Sequence, residues 1–190
     1  MNILILNGSP RKTGKVSTLL HEAEKVLVVH NNLVTFIDVC SLIFKPCIGC
    51  MACRSKGNCV LPQDDAHKIA EKIKNCDGII VGTPVYWGNI NGYLKCLFDR
   101  LVAVMMKESK LGMPIPLHKG KKAVIITSCT TPYPFNILAG QTTKAEKALK
   151  EILGYSGFKV GKKIRVAGTK EMKNLPPKAL KEVSKCVKIF

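Results

Sequence analysis

The chain is predicted to fold as an α/β domain, a doubly wound parallel sheet of five strands with helices on both faces, and three observations carry that expectation. Five short β-rich runs alternate with about five helix-patterned segments along the 190 residues, which is the order of a parallel sheet covered on both sides. The first run, Asn2-Ile3-Leu4-Ile5-Leu6, breaks into the small, polar and basic loop Asn7-Gly8-Ser9-Pro10-Arg11-Lys12-Thr13-Gly14 before a helical pattern opens near Lys15. The loops after the first, third and fourth runs hold the most distinctive residues, and in such a sheet ligands sit past the carboxyl ends of the strands.

Taken in order, Asn2 to Leu6 is strand one. Val16 to Val29 reads as a helix in which Leu19, Leu20, Ala23, Val26 and Leu27 make one face. Leu33 to Val39 is strand two, and Cys40 to Pro62 is a long, cysteine-bearing connection. Gln63-Asp64-Asp65 places acidic residues at a helix start that continues over Ala66 to Asn75. Asp64 and Asp65 are expected to cap that helix rather than to act as an acid–base pair. Asp77 to Gly82 is strand three, followed by the loop Thr83 to Asn91 with Tyr86 and Trp87. Gly92 to Val104 reads as one helix with Leu94, Leu97, Phe98 and Leu101 inside, and Asp99-Arg100 as an ion pair facing a partner subunit. Lys107 to Lys121, with Pro114 and Pro116, is irregular and reads as a lid or a subunit contact. Ala123 to Thr127 is strand four, Ser128 to Gly140 a loop, Gln141 to Leu153 a helix, Lys159 to Val166 strand five and Pro176 to Cys186 the last helix. No internal repeat or low-complexity stretch divides the chain, so residues 1–190 read as one domain with a cysteine-rich loop at 40–62.

Composition bounds the function. No stretch reaches the roughly 18 apolar residues of a membrane span, and the first apolar run is too short for a signal peptide and lacks a basic leader. The expected location is cytoplasmic, with no membrane partner. Lys plus Arg number 30 against 13 acidic residues, a net charge of +17. Much of that excess lies late, in Lys119 to Lys122, Lys159 to Arg165 and Lys170 to Lys188, and reads as solvated helix faces and turns. No aromatic stacking set is interleaved with it and no nucleic-acid motif appears, so no specific nucleic-acid partner is expected. His21, His30, His67 and His118 show no ligand spacing or triad context and read as structural or exposed.

The loop at 7–15 looks built for a phosphate. A strand, a small polar turn and a helix start direct free backbone N–H groups and a helix dipole at an anion. Arg11, Lys12 and Lys15 add charge, and Ser9, Thr13, Ser17 and Thr18 add hydroxyls. The loop matches neither the Walker pattern nor the dinucleotide G-x-G-x-x-G fingerprint.

Together, Asn7-Gly8-Ser9-Pro10-Arg11-Lys12, Gly82-Thr83-Pro84-Val85-Tyr86-Trp87-Gly88, Leu94-Lys95 and Phe98-Asp99-Arg100-Leu101 resemble the flavodoxin-like NAD(P)H-dependent FMN reductases, over residues 1 to about 155. The segment Cys47 to Asp65 looks like the iron–sulfur flavoprotein branch of that group. The resemblance implies a flavodoxin-like three-layer fold with strand order 2-1-3-4-5, and FMN as cofactor with NADH or NADPH as electron donor. It implies that Ser9, Arg11, Ser17 and Thr18 hold the FMN phosphate, with Lys15 and Val16 in the same turn. Many relatives have Gly-Asn-Thr where this chain has Gly14-Lys15-Val16, so Val16 can offer only its N–H. Pro84, Val85, Tyr86, Trp87, Gly88 and Asn89 match the loop that lines the flavin ring, and the loop bearing Cys129 is expected to face the flavin. The chemistry belongs to the flavin, so the site residues are positioning groups and none is assigned as a catalytic acid or base. A homodimer or homotetramer is implied. The acceptor is a ferredoxin-like carrier if a cluster is present, or a quinone-like small molecule if it is not. A non-catalytic flavodoxin-like electron carrier is the alternative, disfavoured because flavodoxins as a group are acidic. A polyanion-binding module is the third reading.

Cys47-x2-Cys50-x2-Cys53-x5-Cys59 is the second strong motif among nine cysteines. Four thiolates on one short loop suit a 4Fe-4S cluster, one sulfur per iron, and Gly49 and Gly57 let the loop curl. Zinc could take the same ligands, although structural zinc sites usually present two separated pairs. A metal-free loop with thiol chemistry is the remaining alternative. Cys40, Cys76, Cys96, Cys129 and Cys186 read as small apolar residues.

Overall fold

The computed structural model describes residues 1–190. In chain order its elements are β1 (Asn2–Asn7), α1 (Lys15–Val29), β2 (Leu33–Asp38), α2 (Ala52–Lys56), α3 (Asp65–Asn75), β3 (Gly78–Pro84), α4 (Gly92–Arg100), α5 (Val102–Met105), β4 (Met106–Glu108), β5 (Pro114–Pro116), β6 (Lys122–Ser128), α6 (Phe135–Leu138), α7 (Gln141–Tyr155), β7 (Lys159–Val166) and α8 (Pro177–Val187). Five strands form a parallel sheet in the order β2-β1-β3-β6-β7, the flavodoxin-like order that the resemblance implies. No helix is long and apolar enough to cross a membrane.

The sheet is held because its central strands are apolar on both faces, and successive side chains point to opposite sides. Leu4, Leu6, Ile79, Val81, Ala123 and Ile125 meet Ile69 and Ile73 of α3, Leu94 and Leu97 of α4, and Leu149 and Leu153 of α7. Their neighbours Ile3, Ile5, Ile80, Val124, Ile126 and Ile164 meet Leu19, Leu20 and Leu27 of α1 and Val183 and Val187 of α8. The outer strands β2 and β7 are more exposed than the inner three, and β7 carries Lys159, Lys162, Lys163 and Arg165, charge that guards a free sheet edge.

The segment expected to be irregular at 107–121 contains a small antiparallel hairpin, β4 paired with β5, in which Pro114 sits opposite Glu108 and Pro116 opposite Met106. A two-stranded ribbon tolerates proline because one side of each strand makes no ladder bonds. The helix expected at 92–104 is divided into α4 and α5 at Leu101, whose ψ of 2° leaves the helical region.

Gly82 fixes how closely α1 can lie on the sheet. A Cβ there would stand 2.6 Å from Leu20 Cδ1 and 2.9 Å from Val16 Cγ1, and Leu20 and Val16 are both buried. Gly82→Val is expected to lower stability by about 1–3 kcal/mol through overpacking, read as a lower urea midpoint with an unchanged slope. An unchanged midpoint would show that α1 has room to retreat.

Candidate active site

Loops after β1, β3, β6 and β7 meet at the carboxyl edge of the sheet and enclose a cavity of about 560 Å³. The loop after β1 is shaped by Asn7, which is fully buried. Its Nδ2 donates to Ser17 Oγ at 3.0 Å and to Asp38 Oδ1 at 2.8 Å, and its Oδ1 accepts from the Ser9 N–H at 3.0 Å. The Gly8 N–H donates to the Gly82 carbonyl at 2.7 Å, and the Arg11 N–H to Ser9 Oγ at 3.2 Å. Gly14 is the N-cap of α1, without a side-chain cap, and the first turn holds no acidic residue. Its first-turn N–H groups are therefore left for a ligand at the positive end of the helix dipole. A Cβ on Gly14 would lie 3.0 Å from Arg11 Cβ and 3.1 Å from the Arg11 carbonyl oxygen, so glycine lets the loop close. Ser9, Arg11, Thr13, Lys15 and Val16 all line the cavity.

Pro84, Val85 and Tyr86 form the wall from β3, and Ser128 and Thr130 the wall from β6. Thr169, Lys170 and Met172 close the fourth side. These three were not anticipated, although the loop after the last strand reaches the same edge by the rule that selected the other loops. The cavity lining contains no carboxylate and no imidazole. Its lining combines the cations Arg11, Lys15 and Lys170, several hydroxyls, and the apolar Val16, Pro84, Val85, Tyr86 and Met172, which fits an organic phosphate with a flat ring that is apolar on its faces and polar along one edge. FMN is such a molecule.

Six expected site residues lie outside the cavity wall. Ser17 Oγ donates to the Arg11 carbonyl at 2.7 Å and Thr18 Oγ1 to the Gly14 carbonyl at 3.1 Å, so both hydroxyls are used in shaping the loop. Tyr86 and Asn89 exchange two backbone hydrogen bonds of 2.9 Å, and Trp87 and Gly88 make the turn between them with φ of 52° and 72°. Two left-handed residues are the mark of a tight hairpin turn. It carries Trp87 out into solvent, fully exposed, while Gly88 comes near Lys144 of α7 and the Asn89 side chain accepts from the Ile90 N–H. Cys129 is buried, and its thiol donates to Gln141 Oε1 at 3.0 Å. The alternation of an extended chain aims Ser128 and Thr130 at the cavity and Cys129 away from it.

The cysteine loop lies between β2 and α3. Cys47 and Cys50 are exposed, Cys53 and Cys59 half-buried, and none is in a disulfide. Gly49, Met51 and Gly57 all have positive φ, so the chain curls tightly through the motif. The Gly49 N–H donates to Cys47 Sγ at 3.5 Å. Burial pushes the Cys53 thiol up, and its proximity to Cys47, Cys59 and Cys50 adds to this against a backbone hydrogen bond. No group of three or more His, Cys, Asp or Glu side chains is closed into a metal-holding arrangement. The four sulfurs are therefore not gathered around one point, but four unpaired thiols on one curled loop, two of them accepting hydrogen bonds, have the donor chemistry that a thiolate-bound cluster needs.

The second of those hydrogen bonds comes from Arg100, which does not form a pair with Asp99 at a subunit face as expected. Asp99 pairs with Lys95, one turn earlier. Arg100 is turned inward, and its Nε donates to Cys59 Sγ at 3.2 Å while Nη1 and Nη2 donate to Asp64 Oδ2 and Oδ1 at 2.8 and 3.1 Å. Asp64 caps α3 as expected, accepting from the Ala66 N–H at 3.1 Å. Burial pushes the Asp64 carboxyl up, but hydrogen bonds from Arg100 and His67 and the guanidinium charge outweigh it and hold it below the ordinary carboxylate range. His67 Nδ1 lies 3.0 Å from Asp64 Oδ1, and its Nε2 reaches the Cys59 carbonyl at 3.2 Å. The hairpin of β4 and β5 touches this loop through an Arg54–Glu108 ion pair, so it flanks the cysteines.

Residues 1–187 match the Flavodoxin_2 family model, described as flavodoxin-like fold. Among curated proteins the chain is 38% identical over 100 residues to an iron–sulfur flavoprotein of Methanocaldococcus jannaschii, covering 53% of this chain and 51% of that protein. It is 37% identical over 111 residues to an iron–sulfur flavoprotein of Methanosarcina thermophila, covering 58% of each. The chain thus spans about half the length of the curated relatives it matches. Among solved structures it superposes on an FMN-dependent NADH-azoreductase of Bacillus anthracis in complex with FMN, with a TM-score of 0.76, 16% identity, and 99% and 98% of the two chains covered.

Proposed function

We propose, from the premise that the chain belongs to the flavodoxin-like-fold family, that it is an FMN-dependent oxidoreductase moving electrons between NADH or NADPH and an acceptor. A 4Fe-4S cluster on the 47–59 loop is part of the reading. The observation that carries it is the four-loop cavity that combines an uncapped helix N-terminus and the cations Arg11, Lys15 and Lys170 with Pro84, Val85, Tyr86 and Met172. The Methanocaldococcus and Methanosarcina relatives named as iron–sulfur flavoproteins support the assignment, as does the FMN complex of the azoreductase fold neighbour.

In this reading Arg11, Lys15 and Lys170 neutralise the phosphate, and the first-turn N–H groups of α1 hold its oxygens. Pro84, Val85 and Tyr86 take the ring, with Met172 on the apolar side. FMN, when bound, supplies two-electron exchange with a nicotinamide and one-electron exchange with other centres. The protein contributes position and charge, through the cations and backbone groups that line the cavity. Cys47, Cys50, Cys53 and Cys59 would hold the cluster, and a one-electron carrier of the ferredoxin kind is then the natural acceptor. A homodimer belongs to the same reading, because Trp87 stands fully exposed on the turn beside Tyr86.

The test is anaerobic purification and a count of FMN, iron and acid-labile sulfide per chain. One FMN with about four irons and four sulfides is expected, and Cys53→Ser should lose the iron and keep the flavin. FMN without iron would leave a plain flavin reductase and overturn the cluster. No flavin, even after FMN is added, would overturn the whole reading.

A further inference from the structure

We propose that Arg100 is a positioning residue for the Cys59 sulfur, closing both ends of the cysteine loop and stabilising the reduced form of the cluster that loop would hold. The inference rests on the cluster reading above.

The Arg100 side chain is 0% exposed. Burying a guanidinium is costly unless every donor is paired and the charge is balanced. Asp64 balances the charge through Nη1 and Nη2, at 2.8 and 3.1 Å. That pair leaves Nε free, and Nε donates to Cys59 Sγ at 3.2 Å. Nη1 donates also to the Lys45 carbonyl. Lys45 stands two residues before the first cysteine of the motif and Cys59 is the last. One rigid group on α4 therefore ties the entry of the loop to its exit, over a sequence separation of 55 residues to Lys45 and 41 to Cys59. His67, itself held by Asp64, fixes the Cys59 carbonyl from the other side.

A plain structural ion pair would need only Asp64. The third direction of the fork is aimed at a sulfur, and it is the planar fork that lets one side chain serve all three acceptors; a lysine ammonium has no such fixed geometry. A hydrogen bond from a cation to a ligand sulfur favours the more negative, reduced state of a cluster and slows loss of the ligand.

The experiment uses wild type, Arg100→Lys and Arg100→Met, each loaded anaerobically with iron, sulfide and FMN. Cluster content, the cluster reduction potential and the rate of iron loss to a chelator are read, with FMN content as a measure of folding at the remote cavity. Arg100→Met is expected to keep FMN, lose iron roughly 10-fold or more readily and shift the potential to a more negative value. Arg100→Lys should lie between, with the charge kept and the fork lost. If Arg100→Met fails to retain FMN, Arg100→Lys decides by the same readings. Wild type with iron but variants with unchanged potential and iron release would overturn the role of Arg100 alone. Wild type that takes no iron would overturn the cluster reading and this inference with it.

Discussion

Glu146→Gln is expected to lower stability at pH 7 by about 2–3 kcal/mol, somewhat less than the ~3–5 kcal/mol of breaking a fully buried pair. Glu146 on α7 is 2% exposed, and Arg165 of the edge strand β7 holds it with two hydrogen bonds, of 2.7 and 2.6 Å. Lys163 adds a contact at 3.4 Å, and Thr127 Oγ1 of β6 donates at 3.3 Å. The pair thus pins α7 to β6 and β7. The discount reflects Arg165, whose side chain is 33% exposed and can turn to water when its partner is lost. Burial pushes the Glu146 carboxyl up, but Arg165 and then Lys163 outweigh that and hold it below its ordinary value of 4.5. The folded state therefore binds the Glu146 proton less readily than the unfolded chain. The stability it gives is complete above about pH 4.5 and is lost as pH falls through the lower, folded value. Urea midpoints of wild type and variant should differ most near neutrality and converge in acid. A gap that stays constant from pH 7 to pH 3 would show that packing, not charge, holds α7 in place.

The sheet was legible because its signal is local. Runs such as Ile3 to Leu6 and Ile79 to Val81 are apolar at every position, and only burial on both faces accounts for that. The turn between β1 and α1 was legible for the same reason, since strand, turn and helix start are consecutive in the chain. Directions of side chains at the site were less legible. Asp99 and Arg100 are adjacent, which suggested a pair, yet neighbours on a helix point about 100° apart and cannot face one another. Asp99 finds Lys95 on its own helix, and Arg100 finds Asp64 and Cys59, 36 and 41 residues away. Nothing local marks so long a contact. Cys129 fell to the wrong side for a similar reason: the loop containing it does reach the cavity, but alternation gives the cavity Ser128 and Thr130. Ser17 stands beside the loop after β1, but its hydroxyl is engaged by Asn7 and the Arg11 carbonyl, a use that the sequence does not reveal. The aromatic pair at 86–87 divides on the turn, with Tyr86 at the cavity and Trp87 in solvent.

The double variant Arg11→Ala, Lys15→Ala should weaken FMN binding about 10- to 100-fold and leave riboflavin binding nearly unchanged. Riboflavin carries the same ring without the phosphate, so the ratio of the two affinities isolates the anion end of the cavity. Hydrogen bonds to a charged group contribute roughly 1.5–3 kcal/mol when shielded. Two such contacts at a solvent-facing loop, where Arg11 is exposed and Lys15 half-buried, correspond to about one to two factors of ten. The preference should not vanish altogether, because the uncapped N-terminus of α1 and Lys170 remain in place. It should also fall with added salt more steeply in wild type than in the variant, since two charges have been removed. Equal losses for FMN and riboflavin would mean that the substitutions deform the loop rather than unpair a phosphate. A preference for FMN that is unaffected would move the anion site away from the loop after β1, and with it the orientation of the ring toward Tyr86.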